Sequence, residues 1–307
     1  MTRRLFRSIL LAWLPLAAAA IAAVAQAADS TATAPAVTVT GAVTGIFSPM
    51  SDLGDSEVEW SAVTISGGIK RQFVPAFSAS IALGYHEEYW SFRSSAGGAA
   101  SSYWGQLQRP SVGISMNLAL SPTVVIGLGS GAEWPGASDL GSSEALTYGG
   151  RVSALKVFSP KFVLGGGVNA YRQFYNVKVS PFLIINWWLT DKLRIANALP
   201  AGPQGGAGVE LRYAPNAQWE LAGGGVSRSA RFRLSNTGPF AGQIGEWSTI
   251  PMFARASRSI GESTKVDLYA GGLFRGTLRV KDSAGDEFES AEWGPAPAFA
   301  LTISGKF

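Results

Sequence analysis

Ser111-Val112-Gly113-Ile114-Ser115-Met116-Asn117-Leu118-Ala119-Leu120 decides the fold. Val112, Ile114, Met116, Leu118 and Leu120 fall on one parity. Ser111, Gly113, Ser115, Asn117 and Ala119 fall on the other. That is the period of a β-strand, with one apolar face and one face of small polar groups. The last residues repeat it: Phe299, Leu301, Ile303 and Phe307 share one face, and Thr302, Ser304 and Lys306 the other.

Similar segments recur at roughly 37–48, 57–72, 77–92, 104–120, 123–134, 145–158, 161–174, 178–190, 192–199, 206–214, 217–234, 247–260, 264–281 and 293–307. They predict about fourteen strands, with twelve as the alternative because 192–199 is short. Every second link is tight and built of turn residues, such as Val74-Pro75-Ala76, Ser121-Pro122 and Thr190-Asp191-Lys192. Most of the others are longer: 49–56, 93–103, 135–144, 235–246 and 282–291. Two of them, near Tyr175-Asn176 and at 200–206, break the rule.

With 47% hydrophobic residues, only 15% charged residues and 37 glycines, the chain departs from soluble domains, which carry about 25% charged residues. No stretch after Ala27 is long and apolar enough for a helical span. An apolar chain without apolar runs must distribute its apolar side chains by alternation. That is what a membrane barrel needs, with lipid on one strand face and the lumen on the other. The expected fold is all-β: a single closed antiparallel transmembrane β-barrel, with short periplasmic turns, longer extracellular loops and both termini in the periplasm. Tryptophans 60, 90, 104, 134, 187, 188, 219, 247 and 293 lie near strand ends and read as interfacial girdles. The segment 182–189 is apolar on both faces, which suggests packing inside the barrel.

Residues 1–27 carry Arg3, Arg4 and Arg7, an apolar run from Ile9 to Val24, and Ala25-Gln26-Ala27. This is the layout of a cleaved signal peptide, leaving 28–307 as the barrel domain. Removing three of 25 basic residues and none of the 21 acidic ones leaves 22 against 21. A net charge near +1 gives no electrostatic footprint for nucleic acid. The absence of cysteine excludes disulfides and thiolate sites.

From Pro200 onward the chain resembles a family of uncharacterised bacterial outer-membrane barrels defined as a domain of unknown function. The similar stretches are Pro200-Ala201-Gly202-Pro203, Gly208-Val209-Glu210-Leu211-Arg212-Tyr213, Trp219-Glu220-Leu221 with Gly223 to Gly225, Arg231-Phe232-Arg233-Leu234, Gly245-Glu246 with Ile250-Pro251, Tyr269-Ala270-Gly271 and Pro295-Ala296-Pro297. They cover about the last third, clearest over 200–307. The resemblance implies a barrel in the cell outer membrane and brings no catalytic residues. Phe307 looks like the aromatic C-terminal signal read by the barrel assembly machinery.

Parity places Arg109, Arg151, Arg212, Arg255, Arg275 and Arg279 on the inward faces, against His86, Glu88, Glu133, Glu210 and Asp267. An open lumen lined this way would favour anions; paired charges would instead stiffen a blocked one. His86 is the single histidine, and Glu88 shares its face. A lipid A or phospholipid hydrolase would need a serine beside it. The acidic loop 282–287 lacks a full calcium-loop pattern, and one histidine with no cysteine makes a poor metal set.

The reading is a passive porin-like channel for small hydrophilic solutes with weak anion preference. It has no cofactor, metal or catalytic site, and it contacts outer-membrane lipid and lipopolysaccharide. The alternative is a closed structural or adhesive barrel acting through its extracellular loops; the hydrolase is third.

Overall fold

The computed structural model describes residues 37–94, 104–141, 143–204 and 207–307. The expected signal peptide, residues 1–27, lies outside the described residues, as do residues 95–103 of the link expected at 93–103. The strands are β1 (Val37–Leu53), β2 (Ser56–Val74), β3 (Phe77–Ser94), β4 (Gln106–Ser121), β5 (Val124–Glu133), β6 (Gly136–Ala137), β7 (Thr147–Ser159), β8 (Phe162–Gln173) and β9 (Asn176–Trp188). They continue with β10 (Leu193–Asn197), β11 (Val209–Tyr213), β12 (Trp219–Gly225), β13 (Arg228–Arg233), β14 (Ile244–Ile260), β15 (Thr264–Lys281), β16 (Glu287–Trp293) and β17 (Ala296–Lys306).

β12 with β13, and β16 with β17, are two interrupted strands, each pair lying along a single neighbour. β6 is an accessory bridge, so the barrel has fourteen staves. Each pairs antiparallel with its neighbour in the chain, and β17 returns to β1 through Thr40↔Lys306 to Phe47↔Phe299. Phe307 extends that closure, exchanging backbone hydrogen bonds with Val39 (2.8 Å each way). Closure leaves the ring no lipid-exposed edge between its first and last strands.

The alternation holds around the wall. Ile69, Ile81, Leu83, Ile114, Met116, Val152, Val179, Leu221, Leu268 and Phe299 are all exposed on the outer face, the apolar belt of a membrane-spanning barrel. Val37 and Phe307, the first and last described residues, lie at the end with the short turns. The link expected at 49–56 shrinks to residues 54–55, because β1 and β2 run on past the belt. The links at 235–246 and 282–291 are likewise partly strand.

The loop end is a narrower second ring. β6 pairs with β4 through Gln108↔Gly136 and, in parallel, with β13 through Arg233↔Gly136. It thereby carries the sheet from one side of the barrel to the other. The segments β1, β2, β3, β4, β6, β13, β14, β15 and β16 close on themselves without the staves from β5 to β11. Irregularities bend the wall into this ring at one level: between Ser48 and Ser51 in β1, at Arg275 (φ 51) in β15, and at the break between β16 and β17. A bulge adds a residue and sharpens the bend. It also flips parity. Asp267, Tyr269 and Leu273 are buried below Arg275, and Gly276, Leu278 and Val280 above it.

Met116 sits in the middle of the outward run of β4, while its neighbour Asn117 faces the lumen and is exposed there. Met116→Arg should cost about 2–4 kcal/mol of folding stability in lipid, the penalty for a cation on the lipid face. Asn117→Arg should be near neutral. Reversible urea unfolding in vesicles measures both.

Candidate functional site

Five of the nine tryptophans expected in girdles fill the narrow ring instead. Trp60, Trp90, Trp104, Trp247 and Trp293 are all buried, with Phe232, Leu53, Val58, Leu278 and Val280 around them. Ring centroids stand 5.9 Å apart for Trp60–Trp90, 5.8 Å for Trp60–Trp247, 5.5 Å for Trp90–Trp293 and 4.9 Å for Trp104–Phe232. These are tilted and edge-on contacts, which aromatic quadrupoles favour. Gly245 is required here, since a Cβ on it would lie 2.2 Å from the Phe232 ring. Two of the expected tryptophans, Trp187 and Trp219, do stand exposed on the belt with Phe73, Phe158 and Tyr213, towards the turn end.

Beneath this plug Glu88, 2% exposed, gathers four neighbours. Its Oε2 accepts from Trp90 Nε1 (3.0 Å) and Trp247 Nε1 (3.1 Å), and its Oε1 lies 2.8 Å from His86 Nε2 and 4.0 Å from Arg109. His86 Nδ1 is 2.7 Å from Thr64 Oγ1. One carboxylate thus satisfies two indoles that the apolar plug would otherwise strand. The histidine's hydroxyl neighbour is a threonine, and the crevice beside His86 and Glu88 holds about 10 Å³, too little for a lipid. A larger hollow of about 440 Å³ lies along Met252, Ala254, Phe274 and Pro297, where the wall bends.

A second group of inward charges lies on the β10–β15 side. Arg255 Nη2 is 2.8 Å from Glu210 and 2.9 Å from Glu220, and its Nη1 is 3.4 Å from Asp267. Arg212 reaches Glu210 at 3.1 Å, Arg194 reaches Glu220 at 2.8 Å, and Lys265 reaches Glu220 at 3.3 Å. Four cations meet three carboxylates, so Arg212 and Arg255 are bound up in pairs. Residues 198–204 cover this side by turning into the lumen. Thr44 of β1 donates to Ala201 O, Gln204 Nε2 donates to Gly224 O (2.8 Å), and Arg228 Nη1 donates to Pro203 O (2.8 Å) while stacking 5.5 Å from the Trp247 ring. The described part of the turn anomaly, residues 200–204, is therefore an inward segment tied to the plug.

The β2–β9 side stays open. Lys70, Ala82, Asn117 and Arg151 face the lumen and are exposed; Glu133 is half-buried beside Thr147. Phe182 and Ile184 face inward, as the two-sided apolar run of 182–189 suggested, and Phe182 lies over Gly167, where a Cβ would come within 2.4 Å of the ring. Two inward assignments are corrected by the bulge in β15. Arg275 occupies the bulge itself and is exposed, between inward Leu273 and inward Gly276. Arg279 is turned to the outer face, 3.5 Å from Glu287.

Sequence parity missed a basic cluster at the top of β9. Lys178 donates to Ser229 Oγ. Arg231 bonds Asn176 Oδ1 (2.8 Å) and Glu246 Oε2 (2.8 Å), and Lys281 reaches the same carboxylate at 3.2 Å. The signal was the short 192–199 segment and the irregular links on either side of it.

No family model matches the chain, and no curated protein matches it. Solved structures with similar backbones include an outer membrane channel from Pseudomonas putida F1 (TM-score 0.43, 10% identity, 90% of this chain and 97% of that one). The translocator domain of autotransporter NalP from Neisseria meningitidis follows at 0.33, 10% identity and 98% of both chains. LpxR from Salmonella typhimurium stands at 0.35, 8% identity, and 87% and 99%. These are likenesses of architecture among outer-membrane β-barrels; the barrel itself rests on the closed ladder and the apolar belt.

Glu88→Ala should cost about 3–5 kcal/mol, because it leaves His86, Arg109 and two buried indole N–H groups without their shared acceptor. The urea midpoint of the refolded protein measures it. An unchanged midpoint would contradict a supporting role for this carboxylate.

Proposed function

We propose that the protein is an outer-membrane barrel of the uncharacterised family it resembles, passing small hydrophilic solutes passively along the open side of its lumen. The observation that carries this is Arg151, a lumen-facing residue of β7 that remains exposed. Space beside it means that side chains do not fill the β2–β9 half, as expected when fourteen staves enclose more than an eight-stranded barrel can pack solid. Weak anion preference follows from Arg151 and Lys70 on that side, since Arg212 and Arg255 are neutralised by their partners.

The plug of tryptophans favours a second reading, a closed barrel acting through its loops. In either case export through a cleaved signal, contact with lipopolysaccharide and recognition of Phe307 by the assembly machinery belong to the proposal.

Conductance of the refolded protein in a planar bilayer separates the two. The channel reading expects small, stable steps with a reversal potential displaced towards the anion under a salt gradient, and Arg151→Glu should weaken that displacement. Electrical silence from protein of native heat-shifted gel mobility would reject the channel and leave the closed barrel. Phe307 deletion should lower the yield of heat-modifiable protein in the membrane; an undiminished yield would remove its role as a signal.

A further inference from the structure

The wall is not laddered all the way up. β10 and β11 hold five residues each, and β9 pairs with β10 only at Asn186, Trp187 and Trp188. The Asn197 side chain extends that ladder slightly, accepting from Ile185 N (2.9 Å) and donating to Leu183 O (2.9 Å). Above this, among the described residues, no backbone pairing joins β9 to β13, the next stave that rises to the same level. In lipid a pair of free strand edges must be shielded or wetted.

The two strands overlap rather than abut. Asn176 and Lys178 share the lumen-side parity of Phe182 and Ile184, opposite the exposed Val177 and Val179. Their partners Ser229 and Arg231 lie on the face of β13 opposite the buried Ala230 and Phe232, which is the outside of the plugged ring. The inner face of β9 is therefore laid over the outer face of β13. Between them is a seam closed by side chains alone. Its hairpin tip is held by aromatic stacking: Arg231 lies 5.1 Å from the Tyr175 ring, and Arg233 lies 5.3 Å from that of Phe174, whose φ is 51°. Lys178, Arg231 and Lys281 face one carboxylate, Glu246, at this seam, while Arg233 bonds the backbone carbonyls of Glu144 and Gly242.

Resting on the channel reading, we propose that small anionic solutes pass around the aromatic plug through this seam between β9 and β13, drawn by its excess of cations. Three positive groups against one negative raise the local concentration of carboxylate- or phosphate-bearing solutes. Opening requires only side-chain hydrogen bonds and two arginine–aromatic contacts to be given up to water. Opening the plug would require stripping at least five packed tryptophans from one another.

The chain has no cysteine, so a double variant Asn176→Cys with Arg231→Cys can be bridged cleanly across the seam by a short bifunctional methanethiosulfonate. Bridging should cut conductance at least tenfold, and dithiothreitol should restore it. Lys178→Glu should shift the reversal potential away from the anion without bridging. Conductance that persists through complete bridging would overturn the seam while leaving the channel reading intact. Silence of the unmodified, folded protein would overturn both.

Discussion

Burial of the indoles around Glu88 is the constraint on which the rest of the barrel depends. Fourteen staves enclose more space than side chains can fill, so a ring of this size is either hollow or drawn in. Here the row of irregularities in β1, β15 and β16–β17 draws the wall inward, and the two-residue β6 closes a smaller circumference. Trp60, Trp90, Trp104, Trp247 and Trp293 then fill it. A plug of that size buries indole N–H groups away from water, and Glu88 accepts from two of them while hydrogen-bonding His86 and facing the Arg109 charge. Arg228 passes the same packing down to the inward segment at 198–204. Plug, carboxylate and loop form one connected body inside the lumen.

That body is lopsided, and the asymmetry is what gives the interior a route. The loop and the Arg255 network occupy the β10–β15 side, where Glu210, Asp267 and Arg255 are almost wholly buried. Across from them the inward positions of β2–β9 are mostly Ser, Gly, Asn and Ala, with Lys70 and Arg151 reaching into open space. Truncation of β10 and β11 follows from the same arrangement. Chain that would have continued those staves folds into the lumen instead, and β9 must seal against β13 by side chains. The closed axis and the side-chain seam are two consequences of one inward turn.

Most of the wall was legible because period-two alternation is local. Ser111 to Leu120 and Phe299 to Phe307 declare their faces without help from neighbours, and even the five-residue β10 stood out. Five of the tryptophans were misread because nearness to a strand end was taken for a place in a girdle, although Trp60, Trp90 and Trp247 keep the inward parity of Thr64, Glu88 and Arg255; elsewhere a break or bulge hid the flip. Trp293 and Ala296 are both buried although their parities differ, and Arg275 and Arg279 left the lumen for the same reason. The seam was invisible as residues yet visible as an anomaly, since the links at 175–176 and 200–206 were the two that broke the pattern. His86 and Glu88 were placed correctly on one inward face. Their partners, Trp247 and Thr64, come from other staves that no sequence spacing brings together.

The central claim is that five tryptophans form a solid body inside the barrel and not a belt around it. Replacing Trp134, Trp187, Trp188 and Trp219 by phenylalanine leaves those five as the only fluorophores of their kind in the barrel. Quenching of this variant by brominated lipids and by aqueous iodide tests the claim most directly. The account predicts weak quenching by both, together with a blue-shifted emission that reddens on unfolding. Strong quenching by brominated lipid would put these indoles at the membrane interface and contradict it.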